Sequence, residues 1–350
     1  MTNKHGGIQL LRLLAMLMIV TLHVLGAGGV LKSVIPLSKD YSALWFWETC
    51  CYGAVNCYAL ISGYVGWNKD FKYTKLIKFW VQNAIFVLIL SLITYIIGWN
   101  TVTIDRMLEE SVWFLQYWYV AAYLGLLIIV PVLNNFIQST ETGKLKNFAI
   151  ASFIFFSAFT MHAEEIFSRD LNKGYSVLWL ALCYLWGGII AKLQWATRVK
   201  SFVWLLISLS GTVFAWLGKM VTEFLTWEKT GEYVKDIIFV TYTSPFVVIA
   251  SVGLFCFFVC LKIKVPHIVS TLAESTLGVF LVHFHFAIVG RYIRGKWAYL
   301  ISEPGIMMYL KLAVAVLAIY ILSLLISVIY NSVYKFVTKV IRKRIMNYGR

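Results

Sequence analysis

Apolar runs of roughly 18–25 residues recur from one end of this chain to the other. Each is long enough to cross the ~30 Å hydrocarbon core of a bilayer at ~1.5 Å per helical residue. Ten helices are expected, over 8–27, 42–64, 76–98, 112–133, 147–162, 175–191, 201–218, 237–261, 268–290 and 312–334. The runs lack the short alternating pattern of membrane strands. The expected fold is therefore all-α: a polytopic membrane protein of about ten transmembrane helices. It forms a single integral membrane domain over 1–350, with a short basic tail at 335–350. Only 13% of the residues are charged, about half the share usual in a soluble domain. No stretch between the runs could form a sizeable soluble module. The first run carries Arg12 and no convincing small-x-small site after it, so it is expected to remain as a span rather than be cleaved. Cys50, Cys51, Cys57, Cys183, Cys256 and Cys260 all fall inside apolar runs and are expected as packing residues, with no metal-ligand spacing.

An even number of spans puts both termini on one side. The tail carries Lys335, Lys339, Arg342, Lys343, Arg344 and Arg350, so the positive-inside rule makes that side cytoplasmic. The loops test the assignment. Those expected inside, with the termini and adjoining helix ends, hold 18 of the 31 Lys and Arg and two acids, Asp70 and Glu141. Those expected outside hold 12 basic and 12 acidic residues. The net charge of +15 thus follows membrane sidedness, and nucleic acid is not an expected partner. One loop disagrees: Arg291, Arg294 and Lys296 fall on the outer side, where they either break the rule locally or meet an anionic ligand.

Ionisable groups within a span cost several kcal/mol, so each is a functional candidate. Arg12 and His23 lie on the first helix, eleven residues apart. At ~100° per residue they share a face, roughly 16 Å apart along the axis. The orientation above places Arg12 low and His23 high. Glu48, His283 and the group Trp113, Gln116, Trp118 and Tyr119 fall at about the depth of His23 on three other helices. A buried histidine beside a carboxylate is held in one tautomer, and its imidazolium is stabilised, which suits a general base. Blander readings stand beside this one. An intramembrane histidine also serves as an interhelical hydrogen-bond partner, and Trp, Tyr and Glu48 also suit a headgroup belt. His285 faces away from His283 and reads as structural; Glu274, near the inner end of its helix, caps it or pairs with a basic loop residue.

A second set lies low. Ser62 and Gly63 end the second helix, and small residues there admit a close neighbour or a ligand. Lys75 and Lys78 share a face at the start of the third. With Arg12 they would make a basic mouth able to take phosphates, although ordinary positive-inside flanking explains the lysines equally well.

The chain resembles the acyltransferase 3 family of integral membrane acyltransferases, in particular the Gram-positive branch that modifies surface polysaccharides. The resemblance is carried by LLRLLAMLMIVTLHV, with its Arg-x10-His spacing at Arg12 and His23, by VNCYALISGYVGW, by YWYVAAYLGLLIIVPVLN, by Ser244–Phe246 and by STLGVFLVHFHF, in that order across nearly the whole chain. It implies a multi-pass protein of a bacterial plasma membrane, a cytoplasmic acyl-CoA donor, usually acetyl-CoA, and a glycan hydroxyl as acceptor. It further implies that His23 is catalytic and paired with Arg12, that Ser62 and Gly63 belong to the donor site, and that His283 is the histidine of the ninth-helix motif. Many relatives carry an Arg-x2-Arg pair near the start of the third helix, linked to acyl-CoA binding; the nearest equivalent in this chain is Lys75 and Lys78. Lysine meets phosphate as a point charge, without the bidentate fork.

The expected mechanism has acyl-CoA bound at Lys75 and Lys78, with Arg12 steadying it. His23 acts as base, oriented by Glu48 or by its backbone neighbours. His283, Trp118 and Tyr119 contact the acceptor, and no metal takes part. A second copy of the chain is a further candidate partner. The alternative classes are a transporter or flippase, in which the same groups line a path, and a non-catalytic accessory of glycan export.

Overall fold

A computed structural model of the chain describes residues 6–99, 103–162 and 171–348; Arg350 of the expected basic tail lies outside them. Every regular element among the described residues is helical. Helix α1 (Gly6–Leu22) runs on as a π-helical turn, His23–Ala27, and through a turn at Gly29 into α2 (Val30–Ser33). It is the most buried of the long apolar stretches and packs against six other helices, so it forms the axis of the molecule.

Among the described residues, five helical stretches are long and apolar enough to cross a membrane: Gly6–Ser33, Tyr73–Ile96, Ile104–Ser139, Ser201–Thr230 and Ile306–Arg344. The other expected spans are shorter or broken, and one of the five, Ile104–Ser139, is itself turned at Phe114. The run at 42–64 is two helices, α3 (Lys39–Cys51) and α4 (Ala54–Gly66), parted at Tyr52–Gly53. Ser38 starts α3 three residues earlier than hydrophobicity suggests, because its hydroxyl accepts from the Tyr41 amide. After α5 (Tyr73–Ile96), the run at 112–133 divides into α6 (Ile104–Trp113) and α7 (Trp118–Ser139). Phe114 turns the chain at φ 54°, and the Glu110 carboxylate accepts from the Gln116 amide to hold that turn. Helix α8 (Thr142–Phe153) continues as a π-helical segment, Ile154–Phe159, into α9 (Thr160–His162).

Helix α10 (Val177–Leu193) is buried on almost every face and crosses α4 at very short range. Gly63 and Gly187 permit the crossing: a Cβ on Gly63 would collide with the Tyr184 carbonyl, and one on Gly187 with the Leu60 carbonyl. Without side chains at the contact, two helix backbones approach closely and gain dispersion energy where lipid offers no hydrophobic drive.

Helix α11 (Ser201–Thr230) continues past the expected end at 218 because a charged pair sits inside it without facing lipid. Lys219 and Glu223 are fully buried and ion-paired. Their other bonds go to the loop that follows and to α3: Lys219 donates to the Asp236 carbonyl, and Glu223 accepts from the Asp236 amide and from the hydroxyl of Tyr41. Segment 232–244 is thereby tied down without regular structure. Helix α12 (Pro245–Cys260) starts only at Pro245, which needs no hydrogen-bond acceptor for its missing N–H.

The run at 268–290 is three helices, α13 (His267–Glu274), α14 (Thr276–His283) and α15 (Phe286–Tyr292). The first break is held by the last helix, α16 (Ile306–Tyr348): Ser327 donates to the Ser275 carbonyl and Asn331 to the Ser275 hydroxyl. At the second break the His285 ring accepts from the Ala287 amide and caps α15. Apolar side chains such as Ile93 on α5, Phe214 on α11 and Leu322 on α16 point outward, as a lipid-facing belt requires.

Candidate active site

The breaks in α3–α4, α6–α7 and α13–α15 all turn side chains toward one cavity beside α1. It has a volume of about 570 Å³ and runs from Arg12 to Ala27, roughly 22 Å of helix at ~1.5 Å per residue. Arg12, His23, Glu48, Ser62, Trp118 and Tyr119, from four separate helices, all line it.

His23 opens the π-helical turn, a device that shifts a side chain out of ordinary helical register and that recurs at functional sites. Its Nδ1 lies 2.8 Å from Nε2 of His283, whose Nδ1 lies 2.6 Å from the Val279 carbonyl. The carbonyl can only accept, so His283 carries its proton on Nδ1 and its Nε2 is a bare acceptor. His23 must then donate from Nδ1, which leaves the lone pair on His23 Nε2 free, with no protein partner among the described residues. Phe284 stacks on the His23 ring at 4.2 Å and fixes its plane. The chain thus holds a histidine in the tautomer that a base needs, on the wall of a cavity. Its orienting partner is His283, buried to 1% exposure behind it. Glu48 makes no hydrogen bond to His23.

Glu48 lies at the same end of the cavity against Gly26, at 4% exposure, and its Oε2 has no hydrogen-bond partner among the described residues. Trp118 is there too, with its ring 4.5 Å from Tyr175. Three aromatic wall residues, Tyr52, Tyr175 and Tyr242, were not singled out from sequence. Tyr52 stands at the unforeseen break before Gly53, while Tyr175 and Tyr242 come from irregular segments that carry no periodic signal.

At the other end stand Arg12, Tyr58, Ser62, Tyr123 and Glu274. Tyr58 donates to the Arg12 carbonyl at 2.7 Å, and the Ser62 hydroxyl meets that of Tyr123 at 3.2 Å. The Arg12 guanidinium has only a long bond to Gln9, 3.4 Å, and no carboxylate partner among the described residues. Glu274 is taken instead by Lys335 of α16, at 2.8 Å. A half-buried cation at a cavity end is suited to an anionic ligand. Gly63 does not line the cavity; it serves the contact with α10. Lys75 and Lys78 are exposed at the start of α5, outside the wall, with Lys75 donating to the Asp70 carbonyl. Trp113 is exposed, and His285 is buried against Ser91, away from the cavity. Arg291 lies over the ring of Trp99.

The family model for the acyltransferase domain of the acyltransferase 3 family matches residues 5–331. The chain belongs to the acyltransferase 3 family. No curated protein and no solved structure matches it. Membership makes this multi-pass membrane protein an acyltransferase, which acts on an acyl donor and an acceptor. In the acyltransferase the matched region includes every residue of the cavity wall.

Proposed function

We propose that the acyltransferase moves an acyl group, acetyl in the simplest case, from cytoplasmic acyl-CoA to a hydroxyl of a cell-surface glycan, in the plasma membrane of a bacterium. The observation that carries the reading is the free Nε2 lone pair of His23 in a cavity that has an unpaired arginine at its far end. The Arg12 end takes the donor and faces the cytoplasm, as the basic tail and loops imply. Arg12 meets the anionic part of CoA, and the exposed Lys75 and Lys78 strengthen the local positive field. The pantetheine arm lies along α1 between Tyr58, Tyr119 and Tyr123. The acceptor enters from the His23 end, against Trp118.

The acceptor hydroxyl donates to Nε2 of His23. As its oxygen attacks the thioester carbonyl, the proton passes to Nε2, and the positive charge that develops on the ring is shared through Nδ1–H with His283. Collapse of the tetrahedral adduct breaks the C–S bond. The thiolate takes the proton back from His23 and leaves as CoA, and the acyl group stays on the acceptor oxygen.

The test is radiolabelled acetyl-CoA supplied to purified protein in nanodiscs, with N-acetylglucosamine and glucosamine trisaccharides as acceptors. Label on a trisaccharide, with one CoA thiol released per acetyl transferred, is the expected result. Passage of a sugar across a proteoliposome wall without CoA release would replace the enzyme by a transporter.

A further inference from the structure

The Glu48 end of the cavity holds more than a general sugar surface. Four aromatic rings form a continuous wall there. Trp118 lies 4.5 Å from Tyr175, Tyr175 5.0 Å from Tyr242, and Tyr242 5.6 Å from Tyr52. Trp118 and Tyr242 are near-parallel at 6.3 Å. Glu48 lines the same wall and acts electrostatically on Tyr52, Tyr175 and Tyr242. Glu48 is 4% exposed, and among the described residues its Oε2 has no hydrogen-bond partner and no cation lies within ion-pairing distance. Lys235 is the cation whose field reaches Glu48, but it is exposed and its Nζ is 4.9 Å from the ring of Trp45. Lys219 is consumed by Glu223.

A buried carboxylate without a partner is strongly unfavourable. Aromatic faces attract cations, more so where water is excluded. A ring wall and an unpaired buried carboxyl together are complementary to an ammonium group, whose arrival gives the carboxylate the counter-charge that a neutral ligand does not supply. The rings also pack against the hydrophobic core, but the carboxyl does not follow from packing, since an apolar residue at position 48 would fill the same space.

We infer that the acceptor carries an ammonium group, as an amino sugar does, held by Glu48 among Tyr52, Trp118, Tyr175 and Tyr242 while its hydroxyl faces His23. The inference rests on the acyl-transfer reading for the role of the bound molecule, but recognition of the cation can be measured without turnover.

The experiment compares two ligands of one skeleton, glucosamine trisaccharide and N-acetylglucosamine trisaccharide, binding to the protein in nanodiscs at a pH where the free amine is protonated. Tryptophan fluorescence reports the wild type and Glu48→Gln. The expected result is a Kd about tenfold or more lower for the glucosamine trisaccharide in the wild type. That preference disappears in Glu48→Gln, with affinity for the acetylated ligand unchanged. Tyr242→Phe, which keeps the ring, retains the preference. Equal affinities in the wild type, or a preference that survives in Glu48→Gln, would overturn the inference whether or not acyl transfer is seen. Charge-selective binding without transfer to either sugar would leave the ammonium site standing and remove the enzymatic reading alone.

Discussion

His23→Ala lowers kcat for acyl transfer by about a thousandfold while the protein remains folded and inserted. The magnitude is that of a lost general base. The described cavity wall offers no second imidazole: His283 stands behind His23 with its own Nδ1 committed to Val279. Stability should change little. The His23 ring is half-buried against a pre-existing cavity, and its removal deletes one neutral hydrogen bond, worth about 1 kcal/mol. The check is acetyl transfer per folded molecule, with folding judged by a monodisperse profile and an unaltered melting temperature. A variant that transfers at near wild-type rate would eliminate His23 as the base.

His283→Leu is expected to reduce kcat by about a hundredfold, with KM for acetyl-CoA nearly unchanged. Leucine removes the acceptor for His23 Nδ1–H, so the ring loses both its fixed tautomer and the group that shares its developing charge. Nothing in the donor end of the cavity changes, because His283 lies behind His23, opposite the cavity and far from Arg12. His283→Gln should recover much of the loss, since its amide oxygen can reach the position of Nε2 and accept the same proton. Equal damage by leucine and glutamine would indicate that the residue merely packs.

The all-helical character and the face of α1 that lines the cavity were legible because hydrophobic run length and a 3.6-residue period are local properties. Arg12 and His23 share a face by spacing alone, and both line one cavity. The breaks were not legible, since they depend on particular side-chain hydrogen bonds, near or distant in sequence, that hydrophobic run length does not report. Ser275 is held by Ser327 and Asn331, and the turn after α6 is held by Glu110 reaching Gln116. An apolar run reads as one helix until those partners are known. Tyr175 and Tyr242 were missed for the same reason: they lie in irregular segments, and the tether of 232–244 to Lys219 and Glu223 is visible only in three dimensions. Gly63 carried a true signal, a requirement for close approach, but the neighbour is α10. The role of His283 also shifts, from an expected acceptor contact to the partner of His23, because its tautomer is set by a carbonyl that spacing alone does not place.

The most direct test is an electron cryomicroscopy structure of the wild-type protein in nanodiscs with a non-hydrolysable thioether analogue of acetyl-CoA. The account predicts the nucleotide at the Arg12 end, the pantetheine arm along α1, and the methyl ketone or its equivalent beside Nε2 of His23. An analogue bound outside this cavity, or a His23 ring turned toward lipid with no path from the Arg12 end, would contradict it.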